Sequence, residues 1–99
     1  MTIVDEKIIK FRDEIDRIDE ILVQLLNERA KAATEIGHIK RKHGLPVYAP
    51  SREEDVLRHV TSKNPGPLGN NAIQRLFERI IDESRRLERE TSDSKKYEE

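Results

Sequence analysis

The sequence predicts an all-α fold of three helices, one long, one short and one of medium length, in a chain that pairs with a second copy of itself. Apolar residues recur at intervals of three and four, and no segment alternates apolar and polar residues between turn signals as a strand does. Two helix-breaking runs, residues 44–46 and 64–67, divide the chain into three segments. The first segment is too long for a compact domain of this size, so a partner is expected.

The first helix is predicted from about Asp5 to His43 by an apolar stripe at the spacing of a heptad repeat. A helix of about 39 residues is about 58 Å long, whereas a compact globule of 99 residues has a radius of gyration of about 13 Å. The helix therefore extends beyond its own domain, and its uncovered stripe predicts a homodimer. The stripe consists of Ile8, Phe11, Ile15, Ile18, Leu22, Leu25, Ala32, Ile36 and Ile39.

Turn and cap signals set the limits of the first two helices. Gly44 is expected in a left-handed conformation after the first helix, and Pro46 cannot continue that helix. Ser51 is predicted to cap the second helix, with Glu54 completing a capping box. This helix is expected to end near Lys63, before an Asn-Pro-Gly-Pro run.

The third helix is predicted to begin with Asn70 or Asn71 as its cap. From about Arg89 the sequence becomes polar and lacks apolar positions that could dock. We therefore expect one domain over residues 1–90 and a polar tail or linker over residues 91–99. The apolar positions of the helix are Ile73, Leu76, Phe77, Ile80, Ile81 and Leu87.

The composition excludes several classes of function. Only 34% of the residues are hydrophobic and 39% are charged. This is a low apolar content for a chain of this size to form a stable core by itself. With a net charge of −1, the chain has no overall field for nucleic acid or an anionic membrane. No cysteine is present, which excludes disulfides, thiolate nucleophiles and cysteine zinc sites.

No segment predicts a membrane span or a metal site. The chain has no run of about 18 apolar residues and no secretory leader after Met1, so a soluble, cytoplasmic protein is expected. His38 and His43 lie about 140° apart around the helix and His59 is isolated, so the histidines do not form a metal-binding set.

Arg29 interrupts the apolar stripe of the first helix, where a charge is costly unless an anion pairs with it. Lys40 lies eleven residues later on the same face, with about 16 Å of rise between the two. Two long cationic side chains could therefore close on one small anion. The alternatives are a structural ion pair for Arg29 and, for Lys40, a solvated charge beside Arg41 and Lys42.

Arg12 lies about 26 Å from Arg29 along the helix axis, too far to share a small ligand within one chain. An antiparallel partner would bring it close to the other subunit's Arg29. The alternative for Arg12 is an exposed ion pair with Asp16, one turn away.

Two further pairs of polar residues are candidates for a site. Ser84 and Glu88 lie one turn apart on an otherwise apolar face, which indicates a polar pocket between helices or, alternatively, a fraying helix end with a hydrated Glu88. Arg52 and Glu53 fall in the first turn of the second helix, where the helix dipole favours Glu53 and opposes Arg52.

Four segments together resemble the all-helical, AroQ-type chorismate mutases. They are KFRDEIDRID, LLNERAKAATEIGHIK, PVYAPSREEDVL and RLFERIIDESRRLE, and the match covers residues 8–90 in register. The resemblance implies three helices per chain, an intertwined homodimer with two sites, and no cofactor. It also implies conversion of chorismate to prephenate in the biosynthesis of phenylalanine and tyrosine, in a domain often fused to other shikimate-pathway enzymes.

The resemblance assigns the carboxylates of the substrate to cationic residues. Arg29 would hold one carboxylate, and Arg12 of the partner subunit would hold the other. Arg52 and Ser84 would assist. A planar guanidinium can pair with a carboxylate through two hydrogen bonds, which a lysine cannot reproduce.

The remaining roles concern the ether oxygen and the ring hydroxyl. Lys40 and Glu88 would face the ether oxygen of the substrate, and Glu53 would accept a hydrogen bond from its ring hydroxyl. Many members of the family have an acid where this chain has Ala49, so hydroxyl recognition would fall to Glu53 or to backbone. Many also have a neutral glutamine where this chain has Glu88.

Three other functions stay open at this point. Ala49-Pro50 also resembles the isochorismate-pyruvate lyase branch of the same family, which uses nearly the same pocket to eliminate pyruvate. A regulatory or docking module for a shikimate-pathway enzyme and a purely structural dimerisation module are the non-catalytic alternatives. A purely structural dimerisation module would not require a cation at Arg29 in the apolar stripe of the first helix.

Overall fold

The computed structural model describes the backbone of residues 1–98 and the side chains of residues 1–91. This backbone forms three α-helices, α1 over Ile3–Lys42, α2 over Pro50–Ser62 and α3 over Asn70–Glu98, and it contains no strand. The prediction of an all-α chain with three helices is confirmed. Helix α3 packs against both α1 and α2.

Local hydrogen bonds fix both ends of α1. Thr2 and Asp5 form a reciprocal capping box, so the helix begins two residues earlier than the predicted start at about Asp5. At the other end Gly44 has φ of +67°, as predicted, and the Leu45 N–H donates to the Lys40 carbonyl at 2.8 Å. This Schellman motif ends α1 directly after the turn that carries Lys40.

The predicted cap of α2 is wrong. Ser51 lies inside the helix, because α2 begins at Pro50 with Ala49 at the cap position and no side-chain cap. Proline favours the first helical position, since its φ already suits a helix and that position needs no N–H donor. The helix ends at Ser62 with Lys63 as its C-cap, as expected.

Helix α3 begins at Asn70, and its backbone remains helical to Glu98 rather than fraying from about Arg89. Glutamate, arginine and lysine are good helix formers, so a polar segment can extend a helix that packing has already nucleated. The side chains of residues 92–99 lie outside the described part, and the domain limit at residue 90 stays a prediction.

A single chain leaves most of α1 uncovered. Every residue from 1 to 28 is exposed, including Ile15 at 54% and Leu25 at 53%. No apolar side chain in the described part is fully buried. The radius of gyration of 18.3 Å exceeds the value of about 13 Å for a compact chain of this length. The longest dimension, 62 Å, is that of a 40-residue helix, which rises about 60 Å.

Candidate active site

A cavity of about 700 Å³ lies where the C-terminal third of α1 meets the start of α2 and the middle of α3. Its walls come from residues 29–41, 47–56 and 81–89. Every predicted site residue except Arg12 lines it, so separate stretches of sequence converge on one place. These residues are Arg29, Lys40, Arg52, Glu53, Ser84 and Glu88.

Arg12 is not among the residues that line this cavity. It is exposed on the free part of α1, about 26 Å along the axis from Arg29. Within one chain the fold therefore does not bring Arg12 to the other candidates, as the helix geometry predicted.

Arg29 reaches across to α3 and contacts Ser84. Its Nη1 donates to Ser84 Oγ at 3.3 Å, and the Ser84 hydroxyl donates to the Ile80 carbonyl at 3.1 Å. Because that hydroxyl proton points to the backbone, an oxygen lone pair is directed to the guanidinium. Among the ion pairs of the described side chains none involves Arg29, so a structural ion pair within the chain is not what holds it.

Gly37, the one buried residue of α1, allows two charged side chains to approach its helix. A Cβ atom at this position would lie 3.4 Å from Nη1 of Arg41 and 3.4 Å from Cδ of Glu88. Arg41 therefore lies in the cavity wall near the Glu88 carboxyl group, and its Nη2 is buried without a hydrogen-bond partner in the described part. The sequence pattern indicates only a solvated basic run for Arg41, and the available signal for its position is the spacing of four residues after Gly37, which puts both on one helix face.

Glu53 is held by Arg85, which the sequence did not single out. Arg85 Nε donates to Glu53 Oε1 at 2.7 Å, and Nη2 contacts the same oxygen. The Arg85 guanidinium carbon lies 5.0 Å from the centre of the Tyr48 ring. The hydrogen bond to Glu53 is the main cause that raises the pKa of Arg85, against an opposing effect of burial. Glu53 and Arg85 are 32 residues apart, and only the packing of α2 on α3 reveals their contact.

The cavity is a local concentration of positive charge in a chain whose net charge is −1. Six cationic side chains and two acidic ones line it. Charged groups facing a cavity with apolar walls stabilise a small anion more strongly than the same groups in bulk water. The cations are Arg29, Lys40, Arg41, Arg52, Arg85 and Arg89, and the acids are Glu53 and Glu88.

The fold and the cavity thus define an all-α domain whose three helices enclose a cavity lined mainly by cationic side chains. The family model for chorismate mutase type II matches residues 11–89. The chain therefore belongs to the chorismate mutase type II family.

Individual relatives agree with this assignment. The chain is 42% identical, over 87% of its length, to a bifunctional chorismate mutase/prephenate dehydratase of Neisseria gonorrhoeae, and it spans only 23% of that protein. Its curated relatives of this kind are thus about four times as long as the segment they share with it.

Two solved structures share the architecture over almost their whole length. A chorismate mutase of Thermus thermophilus superposes with a TM-score of 0.81 at 40% identity, covering 84% of this chain and 94% of that one. A chorismate mutase of Helicobacter pylori in complex with prephenate gives a TM-score of 0.81 at 25% identity, covering 89% and 96%. Within the described residues of our chain, no helix is long and apolar enough to cross a membrane.

Proposed function

We propose that this chain catalyses the rearrangement of chorismate to prephenate. The observation that carries the proposal is the cluster of Arg29, Lys40 and Arg52 around one cavity in a member of this family. Chorismate is a dicarboxylate of a size that such a cavity accommodates. The reaction is an intramolecular Claisen rearrangement, so the protein has to supply positioning and electrostatic stabilisation and no nucleophile.

The first task is to hold the substrate in its compact conformer. Arg29, already directed by Ser84, presents its guanidinium to one carboxylate. Arg52 lies on the wall contributed by α2 and assists from that side. A substrate held at both ends has already lost the rotational freedom that the reaction would otherwise require it to lose.

The second task is to stabilise charge on the ether oxygen as its bond to carbon breaks. Lys40 and Glu88 line the cavity from α1 and α3 and are the groups that we assign to this oxygen. The Lys40 ammonium can donate directly, whereas Glu88 can donate only as the protonated acid. Interactions that strengthen as this charge develops lower the barrier rather than merely tightening binding.

We further propose that the active form is an intertwined homodimer with two shared sites. The uncovered stripe of α1 is the surface that a second copy would bury, and Arg12 of the partner subunit would hold the second carboxylate. The support is the 62 Å length of one chain, the exposure of all residues from 1 to 28, and the absence of Arg12 from its own cavity.

A related activity, the elimination of pyruvate from isochorismate, is the second candidate. It is favoured by Ala49, which lines the cavity where an acid would otherwise contact the substrate hydroxyl. The two reactions differ in their products, so the same assay separates them.

The names of the relatives also support a partner for the reaction. Several relatives are named as bifunctional with a prephenate dehydratase. We propose that prephenate made by this chain passes to such an enzyme, fused or associated, in the cytoplasm. A purely docking or regulatory role would leave the dimer intact and chorismate unchanged.

The proposal is tested by adding the purified chain to chorismate, following the loss of its absorbance and identifying the product by mass and chromatography. Prephenate from chorismate, with no activity in Arg29→Leu, is the expected result. Pyruvate released from isochorismate, with chorismate left unchanged, would favour the lyase. No turnover of either compound by an intact dimer would favour the docking module.

A further inference from the structure

Tyr48, Glu53 and Arg85 form a charged cluster on the cavity wall that the mechanism above does not use in full. Glu53 and Arg85 are each half-buried, with 25% and 37% of their side chains exposed. The Tyr48 ring lies under the Arg85 guanidinium at 5.0 Å. Stacking on an aromatic ring and pairing with a carboxylate together restrict the arginine to one position.

The contacts within this cluster are asymmetric. Both of the Arg85 nitrogen atoms that contact Glu53 do so through Oε1. A carboxylate has two oxygen atoms and about four acceptor positions, so Oε2 is left to accept a hydrogen bond from a ligand. The arginine therefore orients the carboxylate without using all of its acceptor capacity.

The pairing also solves an electrostatic problem. A carboxylate that faces a dianionic substrate repels it, and a neutral acid would be a poorer acceptor. The Arg85 guanidinium offsets the charge of the Glu53 carboxylate locally. Among the residues of the loop and α2 that line the cavity, Glu53 is the one acid, and the other lining acid, Glu88, comes from α3.

We propose that Arg85 is a positioning residue, which acts through Glu53 to hold Oε2 toward the ring hydroxyl of the substrate. This inference rests on the proposed function and adds to it the group that determines how the hydroxyl is recognised. The hydroxyl takes no part in the bonds that form and break. Loss of the contact should therefore raise KM more than it lowers kcat.

The alternative is that Arg85 binds a substrate carboxylate directly, as one more cation of the cavity. A double-mutant cycle of Glu53→Ala, Arg85→Leu and the double variant separates the two roles. Arg58→Leu is the matched control, because Arg58 also pairs with a carboxylate, that of Asp55, on an exposed helix surface away from the cavity.

We expect Arg85→Leu to raise KM about tenfold or more, since one hydrogen bond to a charged group is lost or misdirected. In the Glu53→Ala background the same substitution should change KM less than about twofold, because its target is already absent. Arg85→Lys should recover part of the loss, and Arg58→Leu should behave as the wild type. Thermal unfolding of each variant tests whether a change in KM comes from altered folding.

Additive losses in the cycle would overturn the positioning role and favour direct contact with the substrate. A loss in Arg85→Leu that matches a fall in thermal stability, and that Glu53→Ala does not share, would also overturn it. If the wild type does not convert chorismate at all, the proposed function fails first and this inference fails with it. Conversion with an additive cycle refutes the inference alone.

Discussion

Arg29 is a cation on a helix face whose other members are apolar. Arg29 donates a hydrogen bond to the uncharged hydroxyl of Ser84. In the described part of the chain, no acidic side chain forms an ion pair with Arg29. A hydrogen bond from a charged group contributes about 1.5–3 kcal/mol, and burial of a leucine side chain contributes a similar amount and can offset its loss. The sequence pattern alone singled out this residue as a candidate, because a charge on an apolar stripe that is expected to be buried needs a partner.

Arg29→Leu is expected to abolish catalysis while leaving the dimer as stable as the wild type or more so. The free energy of unfolding, from urea denaturation at a fixed protein concentration, and kcat/KM are measured on the same preparations. Arg29→Lys is the control that keeps the charge and loses the planar fork, and its activity should also fall sharply. A clear loss of stability in Arg29→Leu would instead assign Arg29 to a structural ion pair.

Glu88 lies near Arg41 beside Gly37, lines the same cavity as Lys40, and has Arg89 next to it in sequence. Only its protonated form can donate to an oxygen that is gaining negative charge. The sequence pattern singled out Glu88 as a candidate, but its closeness to Arg41 is visible only in the packing of α3 against Gly37.

Glu88→Gln is expected to retain activity, since the side-chain amide can donate a hydrogen bond to the ether oxygen whatever the pH. Glu88→Ala, which removes the donor, is expected to lower kcat about tenfold or more. Chorismate turnover by the two purified variants measures both effects. A Glu88→Ala variant with the kcat of the wild type would leave the ether oxygen to Lys40 alone.

At the scale of whole helices, local chemistry predicted the ends of α1 and α2 better than their starts. Gly44 ends α1 because only glycine takes φ of +67° without strain, and this is visible in the sequence. The start of α2 was misjudged because Pro50 and Ser51 both favour a helix N-terminus, and proline lies one residue earlier. The contact of Glu53 with Arg85 was not predictable, since it depends on the angle and register of two packed helices.

Gly37 gives an element-scale prediction about the crossing of α1 and α3. An added Cβ would meet Arg41 and Glu88 at 3.4 Å, an ordinary van der Waals distance. Gly37→Ala should therefore raise the melting temperature by a few degrees, because alanine is favoured in a helix interior by about 1 kcal/mol. Gly37→Leu should displace Glu88 and lower kcat/KM by about tenfold or more.

Thermal unfolding and chorismate turnover check both variants. Gly44→Ala is the matched control, since the positive φ of Gly44 makes the same substitution destabilising there. A lower melting temperature for Gly37→Ala would mean that the crossing has no room for a methyl group. Full activity in Gly37→Leu would mean that Glu88 does not have to stay where the structure places it.

At the scale of the whole molecule, one chain forms an extended body, 62 Å long, whose cavity Arg12 does not line. The sequence predicted this, because helix length and chain length are both read directly from it. The exposed stripe and the missing Arg12 agree with that prediction, and the dimer itself is proposed. Its central consequence is that each site needs residues from two chains.

Mixing Arg12→Ala with Arg29→Ala chains tests that consequence most directly. Each variant alone should be inactive, because both of its sites lack one carboxylate-binding arginine. In a heterodimer one site carries both defects and the other carries none. An equal mixture with free exchange should therefore recover about a quarter of the wild-type activity per chain, as random pairing makes half of the dimers mixed. If subunit exchange is verified by mass spectrometry and the mixture stays as inactive as its parents, the site is not shared between chains.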